Sequence, residues 1–124
     1  HPAINFDVSL PQADIGRFAE AIDAAFTARW PGHQSLYFGH VGDGNLHVST
    51  NGSTVNGECD AVEAELYRVV AEFQGSVSAE HGIGLHKKPF LHASRTPQEL
   101  AAMRAIKLAL DPLNLMNPGK VFDL

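Results

Sequence analysis

Two histidines and one carboxylate could together hold a divalent metal ion. His40 and His47 flank Gly42-Asp43-Gly44-Asn45, and Asp-Gly in a two-residue loop is typical of a type I′ hairpin turn. In that register His40 lies opposite His47, with Cβ atoms about 4.5–5.5 Å apart, so both imidazoles could bind one ion. Glu80 would add a carboxylate, and two histidines with one carboxylate are a common divalent-metal set. His81, the next residue, would remain free as a base.

The spacing leaves a second interpretation open, in which these side chains are ordinary surface groups. His40 and His47 would then be cross-strand histidines facing solvent, and Glu80-His81 would be a solvated polar loop. Further histidines and two lysines are also expected at the surface: His33, His86, His92, Lys87 and Lys88. The lysines could instead contact an anionic substrate or cofactor.

The elements that must position these residues follow the order β-α-β-β-α-β, with a helix and an irregular tail after it. Hydrophobic periodicity and turn residues predict strands at 3–10, 34–41, 46–50 and 76–79 and helices at 12–29, 58–74 and from Thr96 to about residue 110. This order predicts an α+β, ferredoxin-like antiparallel sheet with helices on one face. A fourth strand parallel to the third would carry Glu80 to the opposite sheet edge from His47. Their convergence therefore requires either a very short fourth strand or a topology that departs from the simple ferredoxin-like one.

Length and composition narrow the functional classes. The 124 residues form one predicted domain, 1–124, in which 96–124 is a C-terminal helix and tail extension. A net charge of −5 argues against nucleic-acid or anionic-membrane partners. There is no apolar run near the 18 residues of a membrane span, and we see no signal peptide. The single cysteine, Cys59, is expected in a reducing compartment, which favours a cytoplasmic location.

Three segments, in order, resemble the C-terminal domain of the FAD-linked oxidase family. Residues 40–47 resemble its H-x-G-D-G-N-x-H segment, and residues 78–84 resemble its S-G-E-H-G-x-G segment. Asp111-Pro112 and Asn117-Pro118-Gly119-Lys120 resemble its closing D-P and N-P-G-K. The family includes FAD-dependent D-lactate and D-2-hydroxyglutarate dehydrogenases and the glycolate oxidase flavoprotein subunit.

The resemblance implies roles for individual residues. His40, His47 and Glu80 match positions that bind zinc or manganese in metal-dependent members, and His81 matches the active-site base. The implied reaction is oxidation of a small D-2-hydroxy acid by hydride transfer to flavin. Two residues depart from the family pattern. Ala79 replaces a usual glycine, which bears on the position of the Glu80 loop, and Ser49 replaces a frequent asparagine that can contact substrate, which bears on substrate choice.

The resemblance also implies that this chain is a fragment of a longer flavoenzyme. The sequence has no Gly-rich flavin-pyrophosphate segment, so FAD would be bound mainly by an absent N-terminal domain of the same polypeptide. We therefore expect the isolated chain to be inactive. A stand-alone metal or small-ligand binding module without redox activity is the alternative, and a small metal-dependent hydrolase is a third hypothesis.

Overall fold

A three-stranded antiparallel sheet lies at the centre of the domain. The computed structural model describes residues 3–51 and 58–124, so most of the loop between the strand predicted at 46–50 and the helix predicted at 58–74 lies outside the described residues. The strands are β1 (Ile4–Ser9), β2 (Gln34–Phe38) and β3 (Asn45–Asn51), in the order β1-β3-β2. The helices are α1 (Ile15–Arg29), α2 (Cys59–Glu72) and α3 (Pro97–Leu110). Short 3₁₀ helices cover Gln12–Asp14, Val41–Asp43 and Lys88–Ala93. The predicted α+β fold is confirmed.

The fourth strand is reduced to one pair of residues. Ser76 forms an isolated antiparallel bridge with Ser9 on the edge of β1 that β3 leaves free. The predicted strand at 76–79 ends there because the amides of Ala79 and Glu80 donate to the Asp7 side chain instead of the β1 backbone. The very short fourth strand satisfies the condition under which Glu80 can approach His47.

The hydrophobic core lies between one face of the sheet and helices α1 and α2. The sheet contributes residues that alternate along β1 and β3, each no more than 4% exposed: Phe6, Val8, Leu46 and Val48. The helices contribute the apolar stripes that the sequence predicts: Phe18, Ile22 and Phe26 from α1, and Val62, Leu66, Val69 and Val70 from α2. Each such side chain stabilises the fold by about 1.5–3 kcal/mol when buried. None of the described helices packs on the opposite face of the sheet, and that face carries the candidate site.

The predicted hairpin register is wrong by two residues. Phe38, and not His40, is the partner of His47. The chain does not make a two-residue turn, because Gly39 has φ of +143° and a 3₁₀ turn follows it. A shift by two keeps every strand residue on its predicted face. Val41, the last residue of the strand predicted at 34–41, instead lies in the loop and is 52% exposed.

Helix α3 has the predicted start but not the predicted packing. The Thr96 hydroxyl accepts from the Glu99 amide, and the Glu99 carboxylate accepts from the Thr96 amide. This capping box, which the residues Thr96-Pro97-Gln98-Glu99 predict, begins the helix at the predicted residue. An amphipathic helix is expected to bury its apolar residues, but Ile106 is 60% exposed and Leu110 is 75% exposed, while Leu100 and Met103 are partly buried. Nothing in the described part of the chain covers that side of the helix.

The described helices include none that is both long enough and apolar enough to span a bilayer.

Gly44 gives a test of the loop that leads into β3. Its φ is +80°, and an added Cβ would lie 2.4 Å from the Leu10 carbonyl oxygen. We expect Gly44→Ala to lower the free energy of unfolding by about 2 kcal/mol or more, since left-handed backbone alone costs an L-residue about 1–2 kcal/mol. Gly16→Ala is the matched control, because Gly16 lies in α1 with nothing within 4 Å of the added Cβ. The control should be stabilised by about 0.4–1 kcal/mol. Urea unfolding followed by circular dichroism measures both, and equal stability of the two variants would contradict the prediction.

Candidate functional site

The candidate site lies on the open face of the sheet. Cross-strand pairing places Asp7 of β1, His47 of β3 and Phe38 of β2 side by side in one row. The segment after Ser76 crosses in front of β1 and brings Glu80 and His81 to this row. Beside them lies a cavity of about 330 Å³, and its lining is Asn5, Phe6, Asp7, Phe38, His47, Val48, His81 and Lys87.

Two imidazoles approach one oxygen of the Glu80 carboxylate. Its Oε1 lies 3.7 Å from His47 Nε2 and 3.4 Å from His81 Nε2. The two rings are nearly parallel, with centroids 5.7 Å apart. Asn45 Nδ2 donates to the other oxygen, Oε2, at 2.9 Å. Two imidazoles and one carboxylate, which can act as metal ligands or as a base, therefore lie close together beside the cavity.

His40 does not take part in this cluster. It precedes the 3₁₀ turn at Val41–Asp43, and its carbonyl oxygen accepts from the amides of Asp43 and Asn45. Its imidazole makes no hydrogen bond or ion pair with the described residues. The structure thus brings together three of the four residues singled out from the sequence and leaves His40 outside their contacts.

Asp7 is the site residue that the sequence analysis missed. The alternation along β1 places it on the solvent face with Asn5 and Ser9, yet it is only 2% exposed. Its Oδ2 accepts five hydrogen bonds, from the Ser78 hydroxyl, the Lys87 ammonium and the amides of residues 79, 80 and 81. These partners lie 71 to 80 positions away along the chain, so no local pattern marks Asp7 as different from its neighbours.

The pKa of Asp7 is set by two opposing effects. Burial alone would raise it, but hydrogen bonds from the His81 amide, the Lys87 ammonium and the Glu80 amide outweigh burial. The pKa therefore lies well below the usual range, and the carboxylate is charged at neutral pH.

The Lys87 ammonium is committed to this carboxylate. Its side chain is 14% exposed, and Nζ lies 3.1 Å from Asp7 Oδ2 and 2.9 Å from the Asp7 carbonyl oxygen. Lys88 points elsewhere and donates to Asp123 and to the Gly119 carbonyl oxygen. The prediction of a solvated basic pair is therefore wrong, because each lysine has a fixed carboxylate partner.

Within residues 3–51 and 58–124, three further histidines remain, one with a largely buried side chain and two that are exposed. The side chain of His33 is 7% exposed and packs edge-on against Phe26. Its predicted surface position is therefore wrong, because this ring fills space at the end of the α1 core. His86 and His92 are exposed, as predicted.

Asp7 is poorly suited to bind a metal ion directly. One ligand atom each from Asp7, Glu80 and His81 lie within 4.8 Å of one another. Asp7 Oδ2, however, already accepts five hydrogen bonds, one of them from an ammonium group whose charge opposes a cation. The side chains of His81 and Glu80 are 62% and 47% exposed, respectively, so they can adjust around an ion. The chemistry and accessibility of the donors fit a divalent metal at His47 and Glu80.

The closing motif stabilises the tail and contributes nothing to the cavity. Asp111 accepts hydrogen bonds from the Lys107 ammonium and from the amides of Leu115 and Met116. The Lys107 ammonium, followed by these amides, lowers the pKa of Asp111 to about 2. The carboxylate thus ends α3 and turns the chain.

Comparison with known proteins places the chain in a family. Residues 1–121 match the family model described as FAD linked oxidases, C-terminal domain. A D-2-hydroxyglutarate dehydrogenase of Stutzerimonas stutzeri is 37% identical over 122 residues, which are 94% of this chain and 26% of that protein. The protein of the same name from Xanthomonas citri pv. viticola is 41% identical, with the same coverage of both chains. Glycolate oxidase subunit GlcD of Bacillus subtilis is 36% identical over 94% of this chain and 25% of its own length. The chain spans about a quarter of the length of these curated relatives.

Acid should weaken the fold through Asp7. Because folding lowers the pKa of this carboxylate, its stabilising contribution is present above the ordinary aspartate pKa of about 4 and falls as the pH drops below it. Between pH 5 and pH 3, the free energy of unfolding should fall by about 1 kcal/mol more in the wild type than in Asp7→Asn. Urea unfolding with a metal chelator present measures this difference. Glu20→Gln, at an exposed position of α1, should keep the wild-type pH dependence, and equal slopes for wild type and Asp7→Asn would contradict the prediction.

Proposed function

Because this chain belongs to the C-terminal domain family of FAD linked oxidases, we propose that it supplies the metal and substrate site of a flavoenzyme. The substrate would be a small D-2-hydroxy acid, oxidised by hydride transfer to FAD. The observation that carries this proposal is the approach of His47 and His81 to one oxygen of Glu80 beside an open cavity. The names of the curated relatives, which include two D-2-hydroxyglutarate dehydrogenases, support the substrate class.

The charge balance of the cavity supports a bound divalent cation. Asp7 and Glu80 contribute two negative charges, and the Lys87 ammonium is already paired with Asp7. The substrate carries at least one carboxylate, so this edge of the cavity would repel it without a further positive charge. Zinc or manganese held by His47 and Glu80 would supply that charge. We retain His40 as a third ligand in the proposal, since its loop leads directly into the strand that carries His47.

His81 is proposed as the base that removes the hydroxyl proton of the substrate. Its side chain is 62% exposed, whereas that of His47 is 21% exposed, so His81 is the more accessible imidazole. Its Nδ1 lies 3.7 Å from Asp7 Oδ2, and a carboxylate there stabilises the imidazolium that forms. FAD, when bound, would accept the hydride. A divalent ion, when bound, would polarise the hydroxyl group of the substrate.

An exposed apolar surface beside the cavity supports a covering domain. Leu36 and Phe38 are 69% and 55% exposed, and both lie on the histidine face of the sheet. A flavin-binding domain of the same polypeptide would cover them and exclude water from the reacting atoms. On this proposal the isolated chain does not turn over substrate, because it lacks the hydride acceptor. This apolar surface favours a covering domain over the hypothesis of a small metal-dependent hydrolase.

Loss of a ligand should remove the metal from the intact flavoprotein. His47→Asn and Glu80→Gln should each weaken Zn²⁺ or Mn²⁺ affinity by at least about 10-fold, and His40→Ala tests the third ligand. Metal analysis of purified protein and competition with a chromogenic chelator measure the effect. His86→Gln is the control, because this side chain is 90% exposed and should leave metal content unchanged. Wild-type metal content in the His47 and Glu80 variants would contradict the metal proposal.

Loss of the base should reduce turnover without loss of metal. We expect His81→Asn in the intact flavoprotein to lower kcat about 10²–10⁴-fold, the usual contribution of a general base. Stopped-flow reduction of the flavin by D-lactate, D-2-hydroxyglutarate and glycolate measures the step directly. His92→Asn changes an exposed histidine and should leave the rate of flavin reduction unchanged. Flavin reduction at the wild-type rate in His81→Asn would exclude the assigned role.

A further inference from the structure

We propose that Asp7 and Lys87 form a positioning pair that sets the directions of the Glu80 and His81 side chains. Neither residue is assigned a role by the family motifs quoted above, and neither is proposed to touch substrate. The effect on metal binding and turnover rests on the proposed function, whereas the ordering of the loop does not.

Three consecutive amides point at one oxygen of Asp7. Ala79, Glu80 and His81 donate to Oδ2 at 3.2, 3.2 and 3.1 Å, and the Ser78 hydroxyl adds a bond at 3.0 Å. Successive amides that converge on one anion form a concave nest with a defined backbone conformation. Because the backbone direction at each residue determines where its side chain leaves the chain, this nest directs Glu80 toward His47 and Asn45.

Lys87 ties the far end of the same loop to the same strand position. Its ammonium contacts both Oδ2 and the carbonyl oxygen of Asp7. The backbone between the two anchors turns through Gly82 and Gly84, at φ of +76° and +56°. The Lys87 amide also donates to the Ile83 carbonyl oxygen at 3.1 Å. The loop that carries Glu80 and His81 is thus held at both ends by one residue of β1.

The charge of Asp7, and not only its shape, is required by this arrangement. Hydrogen bonds to an ionised acceptor are roughly twice as strong as those to a neutral one. An asparagine would present a weaker acceptor and would leave the Lys87 ammonium in a largely buried place without a counter-charge. The pair should therefore behave as one unit, in which loss of either member disorders the loop.

The test compares five variants of the intact flavoprotein with the wild type. Asp7→Asn and Lys87→Met each break the pair, their combination completes a double-mutant cycle, Lys87→Arg keeps the charge, and Glu20→Gln removes one charge from an exposed position of α1. Hydrogen exchange of the peptide that contains residues 78–81 reports loop order. Competition for Zn²⁺ reports metal affinity, and thermal unfolding shows that each variant is folded.

We expect Asp7→Asn and Lys87→Met to raise exchange of that peptide at least about 10-fold and to weaken Zn²⁺ affinity about 10–100-fold, the usual effect of a group that orients metal ligands. The double variant should be no worse than Asp7→Asn, since the two changes remove the same interaction. Lys87→Arg should restore most of the affinity, and Glu20→Gln should match the wild type. If Asp7→Asn does not fold, Lys87→Met is judged by the same two measurements.

Wild-type exchange and wild-type Zn²⁺ affinity in folded Asp7→Asn or Lys87→Met would overturn the inference. Additive losses in the double variant would also overturn it, because they would mean that the residues act separately. A wild-type protein that binds no Zn²⁺ and reduces no flavin would instead refute the proposed function. In that case the exchange measurement still decides whether the pair orders the loop.

Discussion

The buried carboxylate of Asp7 connects the sheet to every other part of the site. A charge removed from water is costly unless hydrogen bonds and an opposite charge replace the lost solvation. Here five donors do so, and four of them lie on residues 78–81. Because the amides of that segment point at Asp7, they cannot continue the ladder along β1, and the strand ends after Ser76. The approach of Glu80 to His47 is the direct result.

The two faces of the sheet have different roles, since one packs in the core and the other carries the candidate site. One face buries alternating apolar residues against α1 and α2, and the other presents the row Asp7, His47 and Phe38. Since side chains alternate along a strand, each strand can serve the core and the site at once. This arrangement explains why a hairpin register that differs from expectation by two residues still places His47 on the face of the cavity.

Local patterns in the sequence predicted most of the helices and strands, but they did not predict contacts between residues that are far apart along the chain. The stripe that includes Phe18 predicted α1, and the capping residues at Thr96 predicted the start of α3. The hairpin register was mispredicted because the conformation of the loop after Gly39 replaces a simple turn. The burial of Asp7, Lys87 and His33 depends on partners far along the chain or on tertiary packing, which periodicity does not encode. Glu80 and His81 entered the predicted site as a possible third ligand and a possible base, and the family motifs then supported them. The predicted turn paired His40 with His47, whereas the structure pairs Phe38 with His47.

The long separation between Asp7 and its partners has a consequence for the order in which the chain folds. Contacts between residues 71 to 80 positions apart require closure of a long loop, and such contacts form more slowly than local ones. During synthesis, β1 leaves the ribosome long before Lys87 does, so its carboxylate stays hydrated while the β2–β3 hairpin and α2 can already form. The site is therefore assembled among the last parts of the domain. A nascent chain arrested before Lys87 would contain β1, β2 and β3. It would still lack the ammonium group that serves as the counter-charge of the Asp7 carboxylate.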